Sequence, residues 1–141
     1  MAISNIFGIA GTALNSQLVR LNLTASNLAN ANSLAPSEAE AYRAKRPVFQ
    51  ALLEKEKLNA GFNYLGGVKV DKIVDDKTGI PRIYDPAHPQ ADADGFIYKS
   101  NVNEVSEMVE MTSAARSYQN NVEVVNTARE LMMRTVDLLK S

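Results

Sequence analysis

All five prolines of this 141-residue chain lie between positions 36 and 89. Proline lacks a backbone donor and clashes with the preceding turn, so it ends or kinks a helix. Long unbroken helices are therefore possible only towards the two ends of the sequence. The distribution predicts an N-terminal helical arm at 1–33, a turn-rich insert at 34–100 and a C-terminal helical arm at 101–141.

Apolar residues in both arms recur in alternating steps of four and three, and we call each series a heptad stripe. The N-terminal stripe comprises positions 7, 11, 14, 18, 21, 25, 28 and 32, and the C-terminal stripe comprises positions 108, 111, 115, 118, 122, 125, 129, 132, 136 and 139. Six of the eight N-terminal positions and nine of the ten C-terminal positions are apolar. A sustained repeat of 3.5 residues is typical of a coiled coil, although two helices of a compact bundle show the same pattern. Because the insert is short and polar, we expect the arms to pack on each other as an antiparallel coiled coil.

The insert shows the composition of short strands and turns. Alternation at 68–74, a polar turn at 75–79 and an apolar return at 82–84 predict a β-hairpin near 68–84. Residues 96–98 predict one more short strand, whereas 42–53 fit either a strand broken at Pro47 or a short helix. The expected fold class is therefore mainly α with a small β insert between the two arms.

Charge is distributed unevenly along the chain. Arg20 is the one charged residue in positions 1–37, whereas positions 38–101 contain ten acidic and ten basic side chains. A solvated helix normally carries charge on its exposed face. The N-terminal arm instead has small, uncharged polar groups beside its stripe, Thr24 and Asn27 among them, and this pattern predicts a face covered by other protein chains.

Catalytic and metal chemistry have little support in the composition. The chain has no cysteine and a single histidine, His88, which excludes disulfides, thiol nucleophiles and multi-histidine metal centres. The Asp-Ala-Asp-Gly run at 92–95 fails as a calcium loop, since Gln90 and Asn101 occupy its first and last ligand positions, and a turn is predicted there. We predict no catalytic residue, no metal and no cofactor; an enzyme that uses His88 and a nearby carboxylate is the weakest of the hypotheses considered.

Binding to nucleic acid or insertion into a membrane is equally unsupported. The formal net charge is −1, so the chain has no overall positive field to attract phosphates. No apolar run reaches the roughly 20 residues that span a bilayer. The apolar N-terminus lacks the basic segment of a cleaved secretory signal. The lack of a cleaved signal predicts either a cytoplasmic protein or export by a route without cleavage, and composition does not choose between the two.

Two sequence runs resemble signatures of a known family. The run ASNLANANS at 25–33 resembles the N-terminal signature of the axial proteins of the bacterial flagellum, which include rod, hook and hook-associated subunits. The runs NVNEV at 101–105 and ARSYQNN at 115–121 resemble their C-terminal signature. In the insert, YRAKRPVF at 42–49 and DPAHPQAD at 85–92 resemble rod proteins of the basal body, and the short length agrees.

The resemblance implies a structural subunit of the proximal rod. Such a subunit polymerises through its terminal helices into a helical tube that transmits torque and encloses the export channel. It is exported through the flagellar type III apparatus without a cleaved signal and assembles in the periplasm. The implied partners are further copies, other rod subunits and the export apparatus or its adaptor; a cytoplasmic coiled-coil adaptor is the alternative function.

Contacts between subunits are expected at the stripes and at the N-terminal signature. The predicted interface residues are Leu14, Leu18, Leu21, Ser26, Asn27, Leu28, Ala29, Asn30, Asn32, Tyr118, Val122 and Val125. Buried asparagines between helices would fix their register at some cost in stability. Capping of the helix C-terminus is the alternative role for Asn27 and Asn30.

Overall fold

A computed structural model describes residues 2–52 and 66–140 of the chain. The described elements are two long helices and five short strands. They are α1 (Ala2–Ala29), β1 (Leu34–Ala35), β2 (Lys45–Ala51), β3 (Val68–Asp75), β4 (Arg82–Tyr84), β5 (Phe96–Lys99) and α2 (Glu104–Lys140). The prediction of a helix at each end and a small β region between them is confirmed, whereas the pairing of the arms as an antiparallel coiled coil stays a prediction. Residues 53–65 of the predicted insert lie outside the described residues.

Side chains of asparagine define one end of each helix. The Ser106 N–H donates to Asn103 Oδ1 at 3.0 Å, so Asn103 caps the start of α2. At the other helix, Asn30 Nδ2 donates to the Ser26 carbonyl at 2.8 Å. The same carbonyl accepts the Asn30 backbone N–H at 3.2 Å, so the side chain adds a second bond to the last turn of α1. Asn30 therefore caps α1.

The strands form two small sheets. One has the order β1-β5-β4 and is antiparallel, with Leu34 opposite Lys99 and Ile83 opposite Ile97. The other pairs β2 with β3. The prediction of a hairpin over 68–84 is wrong, because β3 pairs with β2 whereas β4 pairs with β5. Alternation identifies the two faces of a strand but does not identify the strand beside it.

Residues 45–51 form a strand, which decides between the two structures that 42–53 allowed. Pro47 lies within this strand. Proline cannot donate to a ladder and is tolerated where one side of a strand has no neighbour. Since β2 has β3 as its one neighbour in a two-stranded sheet, it offers such an open side.

The chain divides into two compact units. The first, called the arm unit, comprises Met1–Val19, Val48–Lys72 and Ser113–Ser141. The second, called the junction unit, comprises Arg20–Pro47 and Ile73–Thr112. The division falls within both helices and so does not follow the three segments expected from the sequence. Among the described residues, seven of the nine buried apolar side chains are alanines, and the other two are Leu52 and Ile97. The alanines are Ala10, Ala114 and Ala128 in the first unit and Ala31, Ala35, Ala41 and Ala44 in the second.

Asp92 organises the turn before β5 in the junction unit. Its Oδ1 accepts the N–H groups of Phe96 at 2.8 Å and Asp94 at 3.0 Å, and its Oδ2 accepts the Tyr98 hydroxyl at 3.2 Å. The Phe96 N–H bond is the main cause of the lowered pKa of Asp92, and the bond to this carboxylate raises the pKa of Tyr98. The predicted turn at 92–95 is confirmed, with this carboxylate holding it together.

Replacing Gly95 with alanine is expected to destabilise the three-stranded sheet by about 1–3 kcal/mol. Gly95 has φ +80°, and an added Cβ would lie 3.0 Å from Tyr84 Cε2 and 3.1 Å from Pro86 Cβ. Urea unfolding followed by circular dichroism measures the change. Gly79→Ala is the matched control, since its Cβ would meet nothing within 4 Å. Equal losses of stability in the two variants would contradict this account.

Candidate assembly interface

The heptad stripes are partly open to solvent. On α1, Leu18 is 46% exposed; on α2, Met108 is 53% and Leu139 is 82% exposed. From Arg129 to Lys140 every residue of α2 is exposed. The described contacts of a single chain therefore leave much of its large apolar side-chain surface uncovered.

The most buried helix positions lie one residue before the predicted stripe positions. In the junction unit, Thr24, Asn27 and Ala31 are 4%, 1% and 1% exposed, whereas the stripe predicted 25, 28 and 32. On α2, Glu107, Ala114 and Ala128 are buried, whereas the stripe predicted 108, 115 and 129. One residue corresponds to a rotation of about 100° around a helix. The chain thus buries a small and polar face of each helix.

Three glutamates of α2 face donors from the α1 side of the junction unit. Asn32 Nδ2 donates to Glu104 Oε1 at 2.6 Å, and Asn27 Nδ2 donates to Glu107 Oε2 at 3.1 Å. Further along α2, Nε and Nη2 of Arg20 both donate to Glu110. Partner numbers fall on the α1 side as they rise on α2, so these helix ends run in opposite directions within this unit.

Asn27 uses its whole amide inside the chain. Its Nδ2 donates to the Lys45 carbonyl at 3.0 Å as well as to Glu107, and its Oδ1 accepts the Lys45 N–H at 2.8 Å and the Tyr42 hydroxyl at 3.0 Å. Both donors and both acceptor positions are therefore satisfied. The prediction that Thr24 and Asn27 belong to an outward face is wrong, because both side chains are buried within the chain.

Glu107 is a fully buried carboxylate held from two sides. Arg46 Nη1 lies 2.7 Å from Oε1, an ion pair that is not aligned as a hydrogen bond, and Asn27 binds Oε2. Arg46 also lies 3.6 Å from an oxygen of Asp76. A buried charge without such partners is strongly destabilising. Arg46 belongs to β2, so the cation beside the buried carboxylate is supplied by that strand.

Asn101 holds the segment before β2 from another side. Its Oδ1 accepts the Ala44 N–H at 2.8 Å, and its Nδ2 donates to the Thr78 and Asp76 carbonyls at 3.1 and 3.3 Å. Bonds from Thr78, above all from its hydroxyl at 2.6 Å, lower the pKa of Asp76. One asparagine from each signature run therefore binds the backbone at 44–45. We call the group Asn27, Tyr42, Arg46, Asn101 and Glu107 the polar junction.

The arm unit contains its own close contact and an apolar groove. The Val68 N–H donates to Thr12 Oγ1 at 3.2 Å. The neighbouring residue, Gly67, has φ +135°, and a Cβ added there would lie 2.8 Å from the same Thr12 oxygen, so this close approach requires glycine. Ile6 of α1 lines an open groove of about 380 Å³ with residues of α2. Its apolar α2 residues are Val124, Ala128 and Leu131.

The predicted interface residues differ in exposure. Leu18, Ser26, Ala29 and Asn32 are exposed; Leu14, Leu21, Leu28, Asn30, Tyr118, Val122 and Val125 are half-buried; and Asn27 is buried. Their contact with neighbouring subunits stays a prediction. Asn27 and Asn32 also act within the chain, because both bind glutamates of α2.

Sequence reasoning missed the three glutamates as structural partners. Glu104, Glu107 and Glu110 lie near the start of α2, where the helix dipole also favours anions. Their spacing of three residues puts them on one side of α2, and the isolated Arg20 needs an anionic partner. These two signals together point to the observed contact between α1 and α2.

Within residues 2–52 and 66–140, no helix combines the length and the apolar character needed to cross a membrane. Nor do the His, Asp and Glu side chains of those residues form a group of three that could hold a metal ion.

Comparisons with known proteins identify the family. The family model described as flagella basal body rod protein matches residues 7–33, and the one described as flagellar basal body rod FlgEFG protein C-terminal matches 93–138. The flagellar basal-body rod protein FlgC of Salmonella typhimurium is 45% identical over 138 residues, 98% of each chain. Its Escherichia coli counterpart is 46% identical over 139 residues, and one from Buchnera aphidicola (Acyrthosiphon pisum subspecies) is 42% identical over 140, each alignment again covering 98% of both chains. This chain belongs to the FlgC family of flagellar basal-body rod proteins.

Membership confirms the predicted resemblance to axial proteins of the flagellum. The chain is a structural subunit of the basal-body rod, and it associates there with other rod components. The family is structural and is not a family of enzymes. The two matched regions include Asn27, Asn101 and Glu107, so the Asn27–Glu107 contact lies within the parts that identify the rod family, whereas Tyr42 and Arg46 lie between them.

Proposed function

We propose that this chain is a subunit of the proximal rod and polymerises through its terminal helices into a helical tube. The tube transmits torque and encloses the export channel. The observation that carries the proposal is the exposed apolar surface of the two helices. At the end of α2 this surface comprises Leu131, Met132, Met133, Val136, Leu138 and Leu139, each at least 41% exposed.

Such a surface is costly to leave in water. Full burial of a large apolar side chain stabilises by about 1.5–3 kcal/mol. Contiguous apolar patches of this kind mark contact sites for other proteins. Burial of the α2 patch against neighbouring copies would stabilise an assembly, whereas the described contacts of one chain leave it exposed.

The charge distribution supports close packing of many identical copies. In an assembly of identical subunits, a charged side chain on a contact face would lie near the same side chain of neighbouring subunits, and like charges repel. Arg20, the one charge in positions 1–37, is paired with Glu110 inside the chain. The rest of α1 can therefore approach other helices without repulsion between side chains.

Export and location complete the proposal. The subunit passes through the flagellar type III apparatus without a cleaved signal and assembles in the periplasm, where it contacts the export apparatus or its adaptor and other rod subunits. Most of the buried apolar side chains in the described residues are alanines. Unfolding exposes less apolar area at an alanine than at a larger side chain, and this suits a chain that must cross the apparatus unfolded.

Isolation of basal bodies tests the proposal. The chain is expressed in a motile host whose own copy is deleted, and basal bodies are purified in detergent and probed with an antibody. We expect restored swimming, co-purification with basal bodies and, by mass spectrometry, an uncleaved N-terminus. A protein that restores swimming yet stays in the cytoplasmic fraction would instead be the adaptor considered above.

A further inference from the structure

The packed face of the helices in the junction unit contains few features that could select a register. Its buried residues on the α1 side include Thr24 and Ala31, and small side chains form shallow knobs that interlock weakly. The exceptions are three polar contacts. Asn32–Glu104 and Arg20–Glu110 join exposed or half-buried side chains, whereas the third pair, Asn27 and Glu107, is 1% and 0% exposed. They are the largest side chains among those with less than 2% exposure in the described part of the chain.

We propose that Glu107 is a register lock: its buried carboxylate, held by Asn27 and Arg46, selects which turn of α1 lies against which turn of α2. A shift of one turn would place Glu107 opposite Ala31 or Thr24, the neighbouring buried positions of α1. Alanine has no side-chain donor, and the Thr24 hydroxyl already donates to the Arg20 carbonyl at 2.9 Å, so the carboxylate would be buried without its amide partner. The native register gives Glu107 Oε2 its amide donor and Oε1 its ion pair with Arg46, and it lets Asn27 bind the Lys45 backbone.

The lock also links the helices to the insert. Asn27 Oδ1 accepts the Lys45 N–H, and Arg46 in the same strand supplies the cation beside Glu107. Helices that closed before β2 was in place would bury Glu107 with one partner missing. The docking of β2 and the correct pairing of α1 with α2 are therefore one event. The lock acts within a single chain and is independent of the proposed rod assembly.

Disulfide pairs in the full chain test the register, because the natural sequence has no cysteine. Asn32→Cys with Glu104→Cys reports the native register, in which these side chains touch. Asn32→Cys with Met108→Cys reports a shift of one turn, and Met108 is exposed, so the substitution is tolerated. Each pair is oxidised in dilute solution, and the ratio of shifted to native yield is measured by mass spectrometry.

The decisive variant is Glu107→Leu, which removes the buried charge and keeps an apolar side chain of similar length. We expect retained helix content by circular dichroism and a rise of roughly tenfold in the shifted-to-native ratio, as when a buried polar group that sets register is lost. Glu107→Gln is expected to lower stability and to keep the native register, since the buried amide still requires polar partners.

Glu123→Leu, an exposed glutamate of α2 in the arm unit, is the matched control and is expected to leave the ratio unchanged. If Glu107 stabilised the fold without selecting the register, both Glu107 variants would lose stability and would form the disulfide of the native pair alone. That result would overturn the lock, as would a Glu107→Leu protein that fails to fold while Glu107→Gln folds.

Discussion

Replacing Asn27 with alanine is expected to lower the free energy of unfolding of the junction unit by about 2–4 kcal/mol. The side chain is 1% exposed and makes four hydrogen bonds, to Lys45 N–H, Lys45 C=O, Tyr42 and Glu107. Alanine leaves these partners without the amide, and the loss is largest for Glu107, which then keeps only Arg46. Urea unfolding and hydrogen exchange at the Lys45 amide measure the effect.

Asn22→Ala is the control on the same helix. Asn22 is exposed, so its removal exchanges a weak helix former for a strong one and is expected to change stability by about +0.5 kcal/mol. The two substitutions are chemically identical and should act in opposite directions. Similar effects at both positions would mean that the polar junction contributes nothing beyond helix propensity.

Leu18→Asp is expected to abolish swimming and to remove the protein from purified basal bodies while leaving the isolated chain folded. Leu18 is 46% exposed in the single chain, so the charge stays hydrated there. In an assembled tube the same carboxylate would be buried without a partner, at a cost of several kcal/mol that recurs in every subunit. Circular dichroism of the soluble chain and immunoblots of basal bodies give the two readouts.

Leu18→Met is the matched variant, because methionine preserves volume and apolar character at this position. Cells that carry Leu18→Met are expected to swim, and the variant protein is expected to co-purify with basal bodies. Normal swimming by Leu18→Asp would show that this part of the α1 stripe lies outside any subunit contact. A Leu18→Asp chain that no longer folds alone would assign Leu18 to the internal packing of the arm unit.

Prolines and periodicity together predicted the main features of the fold. The confinement of prolines to 36–89 left two places for long helices, and α1 and α2 occupy them. The short run Phe96-Ile97-Tyr98 was predicted to be a strand and is found within β5. These features depend on residues close in sequence, whose backbone preferences act without distant partners.

The pairing of strands was not predictable in the same way. Residues 68–74 formed the expected strand, yet its neighbour is β2 and not the segment at 82–84. The turn at 76–78 is held by Asn101, a residue that is distant in sequence. An alternating pattern contains no information about such a partner, so the choice of neighbour depended on tertiary contacts.

The heptad stripes show the division most clearly. Sequence alone determined that each end forms a helix with an apolar stripe, because a 3.5-residue repeat aligns those side chains on any helix. Tertiary structure alone decided that the chain buries the neighbouring face, about 100° away, where Asn27 and Glu107 satisfy each other. A periodic pattern identifies the apolar side chains that lie on one side of a helix. Whether the same chain or other copies bury those side chains depends on contacts between residues distant in sequence.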